Sequence, residues 1–303
     1  MVDRWQYQNK ARPADPAAEA WAALLRAWMC RRGVEQMRAD AAEAAHRFAA
    51  MGIVSPGAPL LEGIARVLSG DLDGGDELFE NAISIGDAGG PDIRAYILRE
   101  RSLVAMARSQ WDRAGAFATQ ARAELRQAGI EDAFVCAVQA RLAVHRGDLA
   151  AVRDQLIRAQ RLRSVLTAAE PQPHLAVQAR IELARVHLAL ADLAGARTLM
   201  QEIDEIFQRR PDLGSLADEA RELQDRLAKE RGASTLRASA LSGAELRLLP
   251  LLSTHLSFSE IAAELFVSRN TVKSQVMSIY RKLGASSRSG AVGRARELGL
   301  LEG

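Results

Sequence analysis

The sequence predicts an all-α protein, a solenoid of helical hairpins followed by a small four-helix domain. Three observations support this fold class. Ala and Arg dominate the 303 residues and aromatic residues make up only 5%, a profile that favours helices over sheets. Similar segments recur at a regular interval through most of the chain. Near the C-terminus, two capped helices separated by a short link indicate a helix-turn-helix.

The repeated segments align without gaps. Their register residues are spaced 38, 39, 38 and 44 positions apart, and such a period is typical of stacked helical repeats. Four clear segments lie at 70–82, 109–121, 147–159 and 191–203, a weaker one lies at 33–44, and the register residues are Val34, Leu72, Trp111, Leu149 and Leu193. Residues 1–16, which include two prolines, are predicted to form a loose lead-in.

Small residues recur where two antiparallel helices would pack closely. Nine positions before the register residue stand Gly63, Ser102, Ala140 and Ala184. This pattern resembles the tetratricopeptide repeat (TPR), although the period exceeds the usual ~34 residues and the consensus proline is missing. The resemblance implies a TPR-like solenoid with a concave surface, on which we expect an unidentified protein or small-molecule effector to bind.

The segment after the repeats is predicted to close the solenoid. Leu216, Ala220, Leu223 and Leu227 follow a 4-3-4 spacing that is too short for a coiled coil, so a capping helix is favoured. Residues 233–240 lack periodicity and predict a flexible linker. The predicted domains are therefore 1–232 and 241–303.

Capping signals define the C-terminal helices. Ser257 with Glu260 three residues later predicts a capping box and a helix that starts near Phe258. That helix buries Ile261, Ala262 and Leu265. Ser268 is a good N-cap for a second helix, in which an apolar stripe recurs at helical spacing, namely Val272, Val276, Ile279 and Leu283.

The opposite face of the second helix is polar and cationic. It carries Asn270, Lys273, Ser274, Met277 and Arg281, a surface suited to a major groove. From residue 241 onward there are eight Arg and Lys against five Asp and Glu, whereas the preceding residues are nearly balanced. A basic surplus in the small domain favours double-stranded DNA as its partner.

A series of motifs in fixed order resembles the LuxR/GerE-type DNA-binding domain, in the version found at the C-terminus of MalT-like regulators. The matching motifs are LS at 241–242, LSFSEIAAELFVS at 256–268, TVK at 271–273, KLG at 282–284, SSR at 286–288 and ARELGLL at 295–301. Sigma-factor region 4 has a similar core, but the motifs after the recognition helix favour the LuxR type. The resemblance implies a transcriptional regulator that dimerises through its C-terminal helix.

The resemblance also implies which residues contact DNA. In the family, base edges are contacted from the positions that correspond to Lys273, Ser274 and Met277. Contacts to phosphates are expected from Ser268, Arg269, Asn270, Thr271 and Arg281.

The sequence departs from the family at several positions. The usual His after TVK is Gln275, Pro250 interrupts the first helix, and Gly290 and Gly293 weaken the last one. A proline inside a helix costs about 3 kcal/mol unless the helix bends, so we expect a bent first helix.

Other classes of function are not supported by the sequence. No phosphate-binding GxxxxGK[ST] loop is present, although MalT-like regulators carry an ATPase module, so the chain is expected to be a short form or a fragment. Cys30 and Cys136 are far apart and the five histidines show no ligand spacing. We therefore expect no enzyme activity, metal or cofactor. Because the sequence has no signal peptide and no long apolar run, we expect a cytoplasmic protein with no membrane partner. The alternative is a TPR-like adaptor with a degenerate helix-turn-helix domain.

Overall fold

The computed structural model describes residues 15–85, 90–168, 172–210, 212–239 and 241–301, and in these ranges it contains helices and no strand. The chain divides into two compact units, Met1–Gln224 and Asp225–Gly303. The predicted all-α fold class is confirmed. Most of the predicted lead-in lies outside the described residues, and the first helix begins at Pro16, where Asp15 accepts a hydrogen bond from the backbone N–H of Ala17.

The first unit is a series of helical hairpins. Each pair of consecutive helices packs together, and each hairpin packs on the next. The pairs are α1 (Pro16–Met29) with α2 (Val34–Ala50), α3 (Gly57–Leu68) with α4 (Leu72–Ser84), α5 (Gly90–Ala107) with α6 (Trp111–Gln127), α7 (Ala133–Arg146) with α8 (Leu149–Ala168), and α9 (Pro173–Ala189) with α10 (Leu193–Arg209).

Each register residue of the sequence repeat is the first residue of the second helix in a hairpin. Two positions earlier the backbone is left-handed in the four clear repeats, at Gly70, Ser109, Gly147 and Ala191. Ser and Ala are strained in this conformation by about 1–3 kcal/mol. In the last repeat Asp192 then caps α10, accepting a hydrogen bond of 2.9 Å from the backbone N–H of Gly195. A shared turn therefore underlies the sequence period.

The small residues nine positions before the register residue lie at the helix crossings. Gly63 is packed so closely that a Cβ atom there would stand 2.7 Å from the ring of Phe79 and 3.1 Å from the carbonyl oxygen of Gly75. In the next hairpin the buried hydroxyl of Ser102 donates a hydrogen bond of 2.9 Å to the carbonyl of Ala114. Small side chains thus let the paired backbones approach.

Helix α11 (Leu216–Ser239) follows the hairpins. Its first turns bury Leu216, Ala220 and Leu223. Residues 233–239, which the sequence predicts as part of a flexible linker, continue α11 as a helix to Ser239. The residues after Gly232 include good helix formers, and one internal glycine costs only about 1 kcal/mol. The predicted domain limits stay predictions.

The second unit contains the remaining short helices. These are α12 (Gly243–Leu248), a 3-10 helix (Pro250–Ser253), α13 (Phe258–Glu264), α14 (Arg269–Leu283) and α15 (Arg288–Glu297). The break before Pro250 confirms the expected interruption of the first helix, because proline has no N–H to continue it. The helices enclose one apolar core that includes Leu248, Ile261, Val276 and Ala291.

Candidate nucleic-acid interface

A turn of unusual conformation separates α13 from α14. The capping box of Ser257 and Glu260 starts α13 as predicted. At its end Phe266 adopts a left-handed conformation with φ 53°, and its side chain is 96% exposed. The backbone N–H of Val267 donates a hydrogen bond of 3.0 Å to the carbonyl of Ala262, which closes the turn and directs the chain into α14.

Helix α14 is fixed by its ends and by its buried stripe. Ser268 is the N-cap, and its Oγ accepts a hydrogen bond of 3.0 Å from the backbone N–H of Thr271. Gly284 ends the helix with φ 67°, a conformation that glycine adopts without strain. The four predicted stripe residues are all buried, namely Val272, Val276, Ile279 and Leu283.

The opposite face of α14 is exposed as the sequence predicts. The exposed side chains of this face are Asn270, Lys273, Ser274, Met277 and Arg281. Met277 is 59% exposed, so an apolar side chain lies among polar and cationic ones. The hydroxyl of Ser274 donates a hydrogen bond of 2.9 Å to the carbonyl of Thr271, which leaves its oxygen lone pairs available as acceptors.

The N-terminal turn of α14 gathers the other predicted contact residues. Arg269 is exposed and Thr271 is half-buried. The hydroxyls of Ser268 and Thr271 lie 2.8 Å apart and hydrogen-bond to each other. Because helix N-termini carry free amide groups and a partial positive charge, this turn is suited to a phosphate.

An ion pair attaches α14 to α12. Lys282 Nζ donates a hydrogen bond of 2.6 Å to Glu245 Oε2, and the same oxygen accepts one of 2.6 Å from the backbone N–H of Ser242. Burial alone would raise the pKa of Glu245, but the hydrogen bonds from Lys282 and Ser242 outweigh it and lower this pKa to about 2. Glu245 therefore serves both as a capping residue and as a charged partner of α14.

Arg288, the first residue of α15, holds the chain that leads into α13. Its guanidinium donates hydrogen bonds of 2.6 to 3.1 Å to four backbone carbonyls, those of Leu251, Leu252, Thr254 and Leu256. Two of these carbonyls lie in the 3-10 helix and two follow it, and that of Leu251 also accepts hydrogen bonds from the backbone N–H and the hydroxyl of Thr254.

Residues 239–295 match the family described as "Bacterial regulatory proteins, luxR family". This segment is a LuxR-type helix-turn-helix domain. This chain is 42% identical over 65 residues to "Probable transcriptional regulatory protein NarL" from two strains of Mycobacterium tuberculosis, a match to 22% of this chain and 30% of the relative. It is 39% identical over 77 residues to "Transcriptional regulatory protein YdfI" of Bacillus subtilis, a match to 25% of this chain and 34% of the relative.

The chain thus spans about a third of the length of the curated relatives it matches. No solved structure matches the chain. In the part of the chain that the structure describes, no helix has the length and apolarity needed to cross a membrane. Nor does any group of three or more His, Cys, Asp or Glu among those residues form a possible metal site.

Three features of the LuxR-type domain were missed by the sequence reasoning. The first two are the contacts of Arg288 and the ion pair of Lys282 with Glu245. These residues lie in motifs that the resemblance singled out, but their positions in the sequence do not show which side chains and carbonyls pair. Phe266 could have been noticed, because a large apolar residue in a predicted helix-turn-helix link has few places to be buried.

Proposed function

We propose that the protein is a sequence-specific, DNA-binding transcriptional regulator whose helix α14 enters the major groove of double-stranded DNA. One observation carries the proposal, namely that α14 exposes a polar and cationic face while its opposite face is fixed in the core. The major groove of B-DNA admits an α-helix. The matched relatives are also named as transcriptional regulatory proteins.

Base reading is assigned to Lys273, Ser274 and Met277. Lys273 would donate to the O6 and N7 acceptors of guanine, and Met277 would contact a thymine methyl group. The Ser274 hydroxyl already donates within the helix, so Ser274 would accept a hydrogen bond from an amino group of adenine or cytosine. Phosphates would be bound by Ser268, Arg269, Asn270, Thr271 and Arg281.

We further propose that the regulator acts as a homodimer through α15 on an inverted repeat. Among the described residues, Ser289, Gly293 and Arg296 are exposed on α15 at helical spacing, which leaves one face of this helix available for a second copy. The TPR-like hairpins of the first unit would bind a protein or small-molecule effector that controls the regulator.

The experiment uses the full chain. A target duplex is selected from a random library, and affinity is measured by fluorescence anisotropy at fixed salt, because phosphate contacts make binding salt-dependent. Lys273→Ala should weaken binding by about tenfold or more, since one good base contact contributes about 1–3 kcal/mol. Lys229→Ala removes the same charge from an exposed position on α11 and should leave affinity unchanged.

Two results would contradict the proposal. Equal affinities of the Lys273→Ala variant and the parent protein would exclude base reading by Lys273. Failure of the selection to enrich any sequence, together with genome-wide footprinting that shows no palindrome, would favour a protein-binding adaptor with a degenerate helix-turn-helix domain.

A further inference from the structure

The repeat unit contains a cavity of about 280 Å³. Its wall is built from α3, α4, α5, α7 and α9 and from the start of α11. The chain borders this cavity where it returns to α3, because the backbone N–H of Ser215 donates a hydrogen bond of 2.7 Å to the carbonyl of Leu68. Gly214 makes this approach possible, since a Cβ there would stand 2.2 Å from the same carbonyl oxygen. The first turn of α11 is therefore part of the wall.

Part of the cavity lining is apolar. It is lined by Leu72, Leu103, Met106, Ile181 and Leu216, which come from four helices. Such a surface favours the hydrocarbon part of a ligand.

The lining also carries charges of both signs. Arg185 donates hydrogen bonds to Glu182 and, at 2.8 Å, to Glu219, so one guanidinium is shared by two carboxylates. Arg141 also lines the cavity and brings a second positive charge. Burial raises the pKa of Glu219, and the attraction of Arg185 offsets this only in part. The charged form of Glu219 would therefore gain from a further cationic partner.

We propose that this cavity binds a small zwitterion with an apolar body, the chemistry of an apolar amino acid. The ammonium group would pair with Glu219, the carboxylate with the guanidinium groups of Arg141 and Arg185, and the side chain would lie against the apolar wall. The inference rests on the proposed function, in which the repeat unit receives an effector. It also names a segment through which the effector would act, because α11 lines the cavity with its first turn and is the last helix before the LuxR-type domain in the chain.

Isothermal titration calorimetry on the full chain without DNA tests the proposal independently of DNA binding. The probes are L-leucine, L-isoleucine, L-methionine and L-phenylalanine. At least one should bind with a Kd below about 1 mM, the range expected of a small ligand. The matched amine and acid analogues of the best probe, which lack one charge each, should bind at least tenfold more weakly. No binding by any of the four, or equal binding by an analogue, would overturn the proposal.

Two variants locate the site. Leu103→Trp fills the cavity from its apolar side and should reduce affinity for the best probe at least tenfold. Ile157→Trp places the same ring at a position that is 51% exposed and outside the cavity, and should bind as the parent protein does. Unchanged affinity in Leu103→Trp would place the ligand elsewhere.

Glu219→Gln separates recognition from stability. Loss of the carboxylate should weaken binding of the amino acid about tenfold. It should not weaken binding of the acid analogue, because that analogue has no ammonium group and its carboxylate gains from the release of Arg185. A general loosening of α11 would instead weaken both ligands together, and that outcome would contradict the assigned role of Glu219. Melting temperatures of the ligand-free variants show whether each one is folded.

Discussion

Replacement of Arg288 by Lys should destabilise the LuxR-type domain although the charge is retained. The guanidinium of Arg288 donates to four backbone carbonyls in two successive segments, the 3-10 helix and the chain that leads into α13. A lysine ammonium is a compact group without the planar fork of arginine. It cannot span these four acceptors at once.

The size of the effect follows from the lost hydrogen bonds. A hydrogen bond to a charged group contributes about 1.5–3 kcal/mol. Lysine should keep one or two of the four hydrogen bonds. Because the contributions of hydrogen bonds that share one group are not additive, the free energy of unfolding should fall by about 3 kcal/mol. A domain of this size is stable by only about 3–9 kcal/mol, so Arg288→Lys removes a substantial part of the free energy of unfolding.

Hydrogen exchange with mass spectrometry measures this loss locally. Tryptophan fluorescence would not, because the four Trp residues lie at positions 5, 21, 28 and 111. A loss of 3 kcal/mol should speed exchange in α13 and α14 about 100-fold. Arg247→Lys, at an exposed position of α12, should change exchange less than twofold. Acceleration below about tenfold in Arg288→Lys would refute the view that the four carbonyl contacts stabilise the domain.

The remaining predictions concern one ion pair and two glycines. Glu245→Gln should destabilise α12 and α14 at pH 7 by about 1–2 kcal/mol after allowance for solvent screening. The folded-state pKa of Glu245 is lowered from 4.5 to about 2. The difference in hydrogen exchange between variant and parent should therefore disappear as the pH falls through that interval. A Cβ atom added at Gly293 has no other atom within 4 Å, so Gly293→Ala should stabilise α15 by about 1 kcal/mol. If two copies of α15 approach closely at this position, sedimentation should nevertheless show a weaker dimer. Gly63→Ala, where a Cβ would stand 2.7 Å from the Phe79 ring, should lower the stability of the repeat unit by about 1–3 kcal/mol, measured by urea denaturation with tryptophan fluorescence; an unchanged midpoint would contradict the close packing.

Local signals made much of the fold predictable. The capping box at Ser257 was read from a residue pair three apart and the N-cap at Ser268 from its residue type, and both are present. These signals depend on hydrogen bonds within one helical turn. The repeat register was predictable for a similar reason, since Leu72 and its equivalents follow a turn that recurs in four of the five hairpins.

Long-range contacts were not predictable in this way. Gln178, for example, donates a hydrogen bond of 3.2 Å to Glu100, 78 positions away in sequence. Arg99 is buried between the rings of Tyr96 and Phe134, although the sequence would place an arginine at the surface. Such pairings depend on how hairpins stack, and helical periodicity gives no information about them.

The two contacts that sequence reasoning missed in the LuxR-type domain explain how α14 is held for DNA binding. Lys282, in the last turn of α14, is attached to α12 through Glu245. Arg288, only six positions later, fixes the chain that leads into α13. Both charged groups lie behind the exposed face, so they add no base contacts. A recognition helix discriminates best between DNA sequences when its supporting contacts are rigid. Non-specific binding depends on phosphate charge alone. Arg288→Lys should therefore lower the specificity between duplexes more than it lowers non-specific affinity.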